Sequence, residues 1–226
     1  MKRPRYSAVE LLITLGLLFI AAPLVEDLPQ GDLIEAMLVT LVMVFAVVAV
    51  GGRRKVLVTA FILLLVAVSG KWLNRLRPDL LHPAVYLATA VLFFAFVIVQ
   101  LVAFVVRAPR VDANVLCAGV SGFLMLGLLW MPAYLTVARL NPAAFNMPST
   151  PGTPATLDGF TAFYYSFMTL CTVGYGDITP VSKPARMLAV IEAITGLFYM
   201  AVLISRLVSL YSSVRTPAAE ESQDKT

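Results

Sequence analysis

Apolar residues run along this chain in six long blocks, at about residues 8–25, 33–50, 56–73, 84–106, 114–138 and 185–212, with short polar or proline-containing joints between them. Each block approaches the roughly 20 mostly apolar residues that cross a hydrocarbon core as a helix. The pattern predicts an all-α membrane protein with six transmembrane helices, and an even number of spans puts both ends of the chain on one side. The fifth and sixth blocks are joined by a proline-rich connection, residues 139–159, and then by a short apolar segment at about 160–171. That segment is too short to cross. It is predicted to dip into the membrane as a helix and return through non-helical backbone, which is tolerated only where protein or water shields it.

Composition and charge fit this reading. Hydrophobic residues make up 60% and charged residues 13% of the 226 positions, far from the balance of a soluble domain. The net charge of +4 does not point to nucleic acid, because the basic residues fall in small clusters between apolar blocks. Of the 17 Lys and Arg, eleven lie with the N-terminus, the 53–55 and 107–110 joints, Arg206 and the tail. The other six are Lys71, Arg75, Arg77, Arg139, Lys183 and Arg186. The richer side is predicted to be cytoplasmic, with both termini there. Lys2 to Arg5 followed by an apolar run ending at Ala21-Ala22 shares features with a signal peptide. The run continues through Pro23-Leu24-Val25 into acidic residues, which suits a first span better. Cys117 and Cys171 sit in apolar surroundings and do not suggest a disulfide framework.

The most specific chemistry lies in Thr172-Val173-Gly174-Tyr175-Gly176-Asp177. Two glycines flanking a tyrosine permit backbone angles that side chains disfavour, so successive carbonyls can turn toward one axis. Together with Tyr164-Tyr165-Ser166-Phe167-Met168-Thr169-Leu170-Cys171 before it and Ile178-Thr179-Pro180 after it, this run resembles the pore helix and selectivity filter of tetrameric potassium channels. The resemblance covers residues 160–212. It implies that K+ is held by the backbone carbonyls of Thr172, Val173, Gly174 and Tyr175 and by the Thr172 hydroxyl, in a ring of four chains. Gly176 and Asp177 then close the outer mouth, and Tyr164 and Tyr165 supply a cuff where some relatives have paired tryptophans. Cys171 stands where many relatives have a second threonine. The implied protein is a homotetramer in the plasma membrane, prokaryotic in type, with lipid as its surroundings and K+ as permeant ion. No cofactor, enzyme activity or nucleic acid is implied, and a regulatory subunit is unidentified. A less selective cation channel and a silent or regulatory subunit of another channel remain as alternatives.

The implied organisation is a tail at 1–7, a four-helix peripheral unit at 8–106, a linker at 107–113, a pore domain at 114–212 and a second tail at 213–226. Residues 84–106 carry no arginine array, so weak or absent voltage gating is predicted. Lys71, Arg75 and Arg77 are irregularly spaced, and Glu26, Asp27, Asp32 and Glu35 are expected to staple to them on the outer side. His82 reads as a residue at the start of the fourth span. In the sixth span Gly196 is either a hinge or a small residue allowing close approach of the pore helix. Leu197, Met200 and Ile204 follow at helical spacing and are expected to line a cavity. Arg206 is expected to reach the cytoplasmic headgroups. Glu192 is a charged residue type within a span, where ionised groups cost about 2.5–3.5 kcal/mol on insertion scales. It either braces the filter from behind, with Tyr165 or Thr169 as donor, or fills space as a neutral acid.

Overall fold

The structure, a computed structural model, describes residues 8–25, 28, 30–50, 54–77, 83–148 and 156–215. Its elements in order are α1 (Ala8–Val25), α2 (Gly31–Ala49), α3 (Arg54–Leu76), α4 (Pro83–Arg107), α5 (Ala113–Leu140), β1 (Phe145–Asn146), α6 (Gly159–Leu170), β2 (Thr179–Pro180) and α7 (Lys183–Arg215). Five of the helices, α1, α3, α4, α5 and α7, are long and apolar enough to cross a membrane, and Leu33–Ala49 of α2 forms a shorter apolar helix. The predicted blocks match these helices within a few residues. Glu26, Asp27 and His82 lie outside the described residues, as do the side chains of Asp32 and Arg75. Of the expected staple, Glu35, Lys71 and the exposed Arg77 are described, and Glu35 and Lys71 border one cleft of about 390 Å³ between α2, α3, α4 and α5.

The helices associate along stripes set by the 3.6-residue period. On α1 the buried face is Leu11, Leu15, Leu18 and Ala22, while Ile13, Leu17, Ile20 and Leu24 remain exposed on the others. On α4 the buried stripe is Phe93, Val97, Leu101 and Val105. Lipid tails are as apolar as these side chains, so the stripes are held by close van der Waals packing rather than by escape from water. The broadest helix contact joins α4 to α5, and α5 also packs against α1, α6 and α7. This makes α5 the hub on which the short α6 is mounted.

Local capping fixes where α5 and α6 begin. Asp112 accepts a hydrogen bond from the Val115 N–H at 2.8 Å and starts α5. Asp158 and Thr161 form a reciprocal capping box at the start of α6. Glu35 sits over that same turn: a Cβ on Gly159 would lie 2.7 Å from its carboxylate. α6 meets α1 through Phe163 and Phe167, whose rings stand edge-on to Phe19 at centroid distances of 4.9 and 4.7 Å. At the other end of the site, β1 pairs antiparallel with β2, Phe145 opposite Pro180 and Asn146 opposite Thr179. The chain entering α6 is thereby clamped to the chain leaving the glycine run.

Candidate functional site

The run after α6 adopts an alternating backbone. Thr172, Gly174 and Gly176 have φ of 57°, 55° and 83°, in the left-handed region, with Val173 and Tyr175 between them. Thr172 is the only non-glycine among the described residues with positive φ; such strain costs on the order of 1–3 kcal/mol and persists where surrounding contacts enforce it. Those contacts are amides folded back onto the end of α6. The Thr172 N–H donates to the Thr169 carbonyl at 2.9 Å, and the Val173 and Gly174 N–H groups to the Met168 carbonyl at 2.9 and 3.2 Å. The first three amides of the run are thus satisfied on the helix side. Residues 171–177 are exposed in the single chain, Tyr175 by 73%. An exposed strip of this kind can offer its backbone carbonyls to a cation as acceptors.

The two tyrosines of α6 part company. Tyr164 turns toward the Asp177 carboxylate, with Tyr175 nearby. Asp177 accepts from the Ile178 N–H at 3.0 Å. Tyr165 points away from the run and is buried in an aromatic cluster, edge-on to Tyr134 at 4.8 Å and Phe145 at 5.5 Å. Adjacent residues on a helix sit about 100° apart, so a pair cannot share one face. Within one chain, Tyr164 therefore lies beside Asp177 and Tyr165 in the packing with Tyr134 and Phe145.

Glu192 is fully buried, and its donors are not those expected. Ser166 Oγ lies 2.6 Å from Glu192 Oε1, and the Tyr134 hydroxyl donates to Oε2. Thr169 instead lies beside the Tyr134 and Tyr165 hydroxyls. Ser166 Oγ also lies 2.8 Å from the Gly127 carbonyl. One carboxyl on α7 is thus held between α5 and α6, directly behind the glycine run. Ser166 and Tyr134 were missed from sequence, although Ser166 shares a helical face with Leu170 and its hydroxyl needed a partner.

Along α7 the helix is continuous through Gly196, and a Cβ there would lie 2.5 Å from the Leu170 carbonyl. Close approach to α6 explains this glycine. Leu197, Met200 and Ile204 are all exposed in the single chain, by 60%, 39% and 54%. Arg206, expected among headgroups, is turned inward: its Nη2 donates to the Ala108 carbonyl at the end of α4, at 2.9 Å. Tyr199 likewise crosses to α5, donating to the Gly119 carbonyl at 2.7 Å.

Residues 123–213 match the family model described as "Ion channel". The chain is similar to Two-pore potassium channel 4 of Arabidopsis thaliana, 32% identical over 103 residues that cover 46% of this chain and 36% of that protein. It is also similar to Two pore potassium channel c of Oryza sativa subsp. japonica, 34% identical over 36% of this chain and 18% of the relative. With the Voltage-gated potassium channel Kch of Escherichia coli it shares 45% identity over 47 residues, 21% of this chain and 11% of that one. The matched segments thus span about a third of these relatives or less. No solved structure matches the chain.

Proposed function

We propose that this chain, which matches the ion-channel family model over residues 123–213 and is similar there to potassium channels, forms a K+-selective pore of four identical chains. The observation that carries the proposal is the alternating run, with left-handed φ at Thr172, Gly174 and Gly176 and amides tied back to Met168 and Thr169. Four such strips around an axis replace the water of a dehydrated ion with rings of carbonyls from Thr172, Val173, Gly174 and Tyr175. One strip alone surrounds nothing, so conduction requires assembly. The exposed apolar face of α7, with Leu197, Met200 and Ile204, then meets the other copies or lines the cavity below the carbonyls.

In this reading α1 to α4 form a peripheral unit and α5 to α7 the pore domain, with α2 completing six spans and α6 entering without crossing. Both termini lie on the cytoplasmic side. Tyr164 and Asp177 steady the outer mouth, and Glu192 braces α6 from behind. Because α4 carries no charge between Pro83 and Val106, the membrane field has nothing to pull on there and voltage dependence is weak.

The test is ion flux from the purified protein in liposomes of defined lipid. A reversal potential that follows the K+ gradient and ignores Na+ supports a selective pore. A reversal near zero in mixed Na+ and K+ replaces it with a non-selective cation channel. Absence of flux from protein that is folded and tetrameric by native mass spectrometry replaces it with a subunit that conducts only beside other chains.

A further inference from the structure

Three oxygen–oxygen contacts join Tyr134, Glu192, Ser166 and Gly127, two of them at Glu192, and the two hydroxyls bring only two hydrogens. Tyr134 donates its hydrogen to Oε2. Ser166 Oγ is 2.6 Å from Oε1 and 2.8 Å from the Gly127 carbonyl oxygen, yet a serine hydroxyl has one hydrogen to give. If Ser166 gives it to an ionised carboxylate, its lone pairs face those of the Gly127 carbonyl at hydrogen-bond distance with nothing between them. If it gives it to Gly127, the same conflict moves to Oε1. A proton on Oε2 does not help, because it only duplicates the Tyr134 hydrogen. With each hydrogen serving one acceptor, one arrangement closes the count: a proton on Oε1 donated to Ser166 Oγ, with the Ser166 hydrogen passed on to Gly127. A carboxylic acid has that one donor and keeps Oε2 as an acceptor.

We infer that Glu192 is a neutral carboxylic acid acting as a hydrogen-bond donor, and that this donor sets the position of α6 behind the glycine run. The hydrogen bonds run in one direction, from Tyr134 on α5 to Glu192 on α7, to Ser166 on α6, and back to Gly127 on α5. Every member is then satisfied, as buried polar groups in an apolar interior require. An ionised Glu192 leaves one contact repulsive and adds a charge to a fully buried site in a span. Ser166 lies two residues before Met168, whose carbonyl receives the amides of Val173 and Gly174. Glu192 is thus a positioning residue, acting on the carbonyl strip through Ser166 and the last turn of α6.

The protonation stands on the contact geometry, while its bearing on conduction rests on the channel reading, and two measurements keep these apart. Infrared difference spectroscopy of purified wild type minus Glu192→Gln at neutral pH is expected to show one carboxylic-acid C=O band lost. Loss of a carboxylate band instead overturns the inference. Should the Gln variant fail to fold, Ser166→Ala removes the acceptor of the acid proton and is expected to shift that band in the otherwise native protein. A spectrum unmoved by Ser166→Ala also overturns it. In K+ flux, Gln can donate to Ser166 and accept from Tyr134 as the neutral acid does, so Glu192→Gln is expected to stay within about twofold of wild type. Glu192→Leu, which strands both hydroxyls, is expected to lose about tenfold or more. Equal loss in folded Gln and Leu variants refutes the positioning role. Absent flux from wild type itself refutes the channel reading and leaves the infrared result standing.

Discussion

In α1 to α4, serine and threonine hydroxyls serve their own helix; in α5 to α7, Thr136 and Thr195 do the same, but other hydroxyls bridge between helices. Thr14, Thr40, Thr59, Ser69 and Thr89 each donate to a carbonyl three or four residues back, which hides a polar group from lipid and ties nothing together. Tyr134, Ser166 and Tyr199 reach across 58, 39 and 80 residues of sequence to another element, and Arg206 reaches across 98. In a solvent that cannot hydrogen-bond, a long-range polar tie fixes relative position far more sharply than apolar contact, because nothing else satisfies the groups if the helices slide. The polar ties thus mark the part of the molecule whose geometry must be held, and the self-satisfied helices mark the part free to be merely apolar.

The largest expected contrast comes from one substitution to alanine in each region. Gly174→Ala meets no neighbouring atom, since nothing lies within 4 Å of the added Cβ. Its cost is conformational, about 1–2 kcal/mol in each subunit for a left-handed non-glycine residue, and it rotates a carbonyl off the strip. K+ flux is expected to fall more than about tenfold. In the other region, truncation by Ile62→Ala on the exposed face of α3 is expected to leave flux unaltered. Equal effects in the same liposome assay would break the comparison.

Tyr134→Phe is the next step down. It removes the hydrogen that reaches Glu192 Oε2 while keeping the ring that packs on Tyr165 and Phe145. An unsatisfied buried acceptor costs about 1–3 kcal/mol, so thermal melting of the assembly is expected to drop and current through open channels to decay faster. A variant with unchanged melting would show that the tie to α5 is ornamental. Arg206→Met is expected to act more gently. It keeps the apolar stem and removes one hydrogen bond to the Ala108 carbonyl, worth about 1 kcal/mol net. Open probability in single-channel records should then shift by about fivefold, with conductance unchanged. A change in conductance would relocate the effect from the α4–α7 junction to the carbonyl strip.

How much of this was legible in the chain depended on the range of the interaction. The left-handed turns at Gly174 and Gly176 were readable because glycine placement is a local signal, whereas that at Thr172 was not, and the helices were readable because hydropathy is a local sum. The Glu192 site was half readable. A buried acid announces itself by residue type, but Ser166 and Tyr134 stand 26 and 58 residues away, and their approach depends on the register in which α5 packs against α6 and α7. The split between Tyr164 and Tyr165 was available from helix geometry alone, since neighbours about 100° apart face different surroundings. The inward turn of Arg206 was not available, because a cation near the end of an apolar block is equally suited to lipid headgroups or to a helix C-terminus. Gly196 shows the same limit: a glycine within a long helix suits either bending or close approach, and only the Leu170 carbonyl against it distinguishes them.

The smallest expected effect is the response to voltage. One elementary charge carried through 100 mV gains about 2.3 kcal/mol, roughly a fiftyfold change in an open–closed equilibrium. The described part of α4 has no such charge inside the span, and Arg107 sits in its last turn, beyond most of the field. Open probability is therefore expected to change less than about twofold over 100 mV in symmetric K+. A steeper slope has two sources that the same recording separates. If it moves when the K+ gradient is changed, the charge that senses the field is the ion itself within the carbonyl strip, and the contrast between the two regions is sharpened. If it persists unaltered across gradients, a protein charge crosses the field and the division into a tied pore and an uncharged periphery fails.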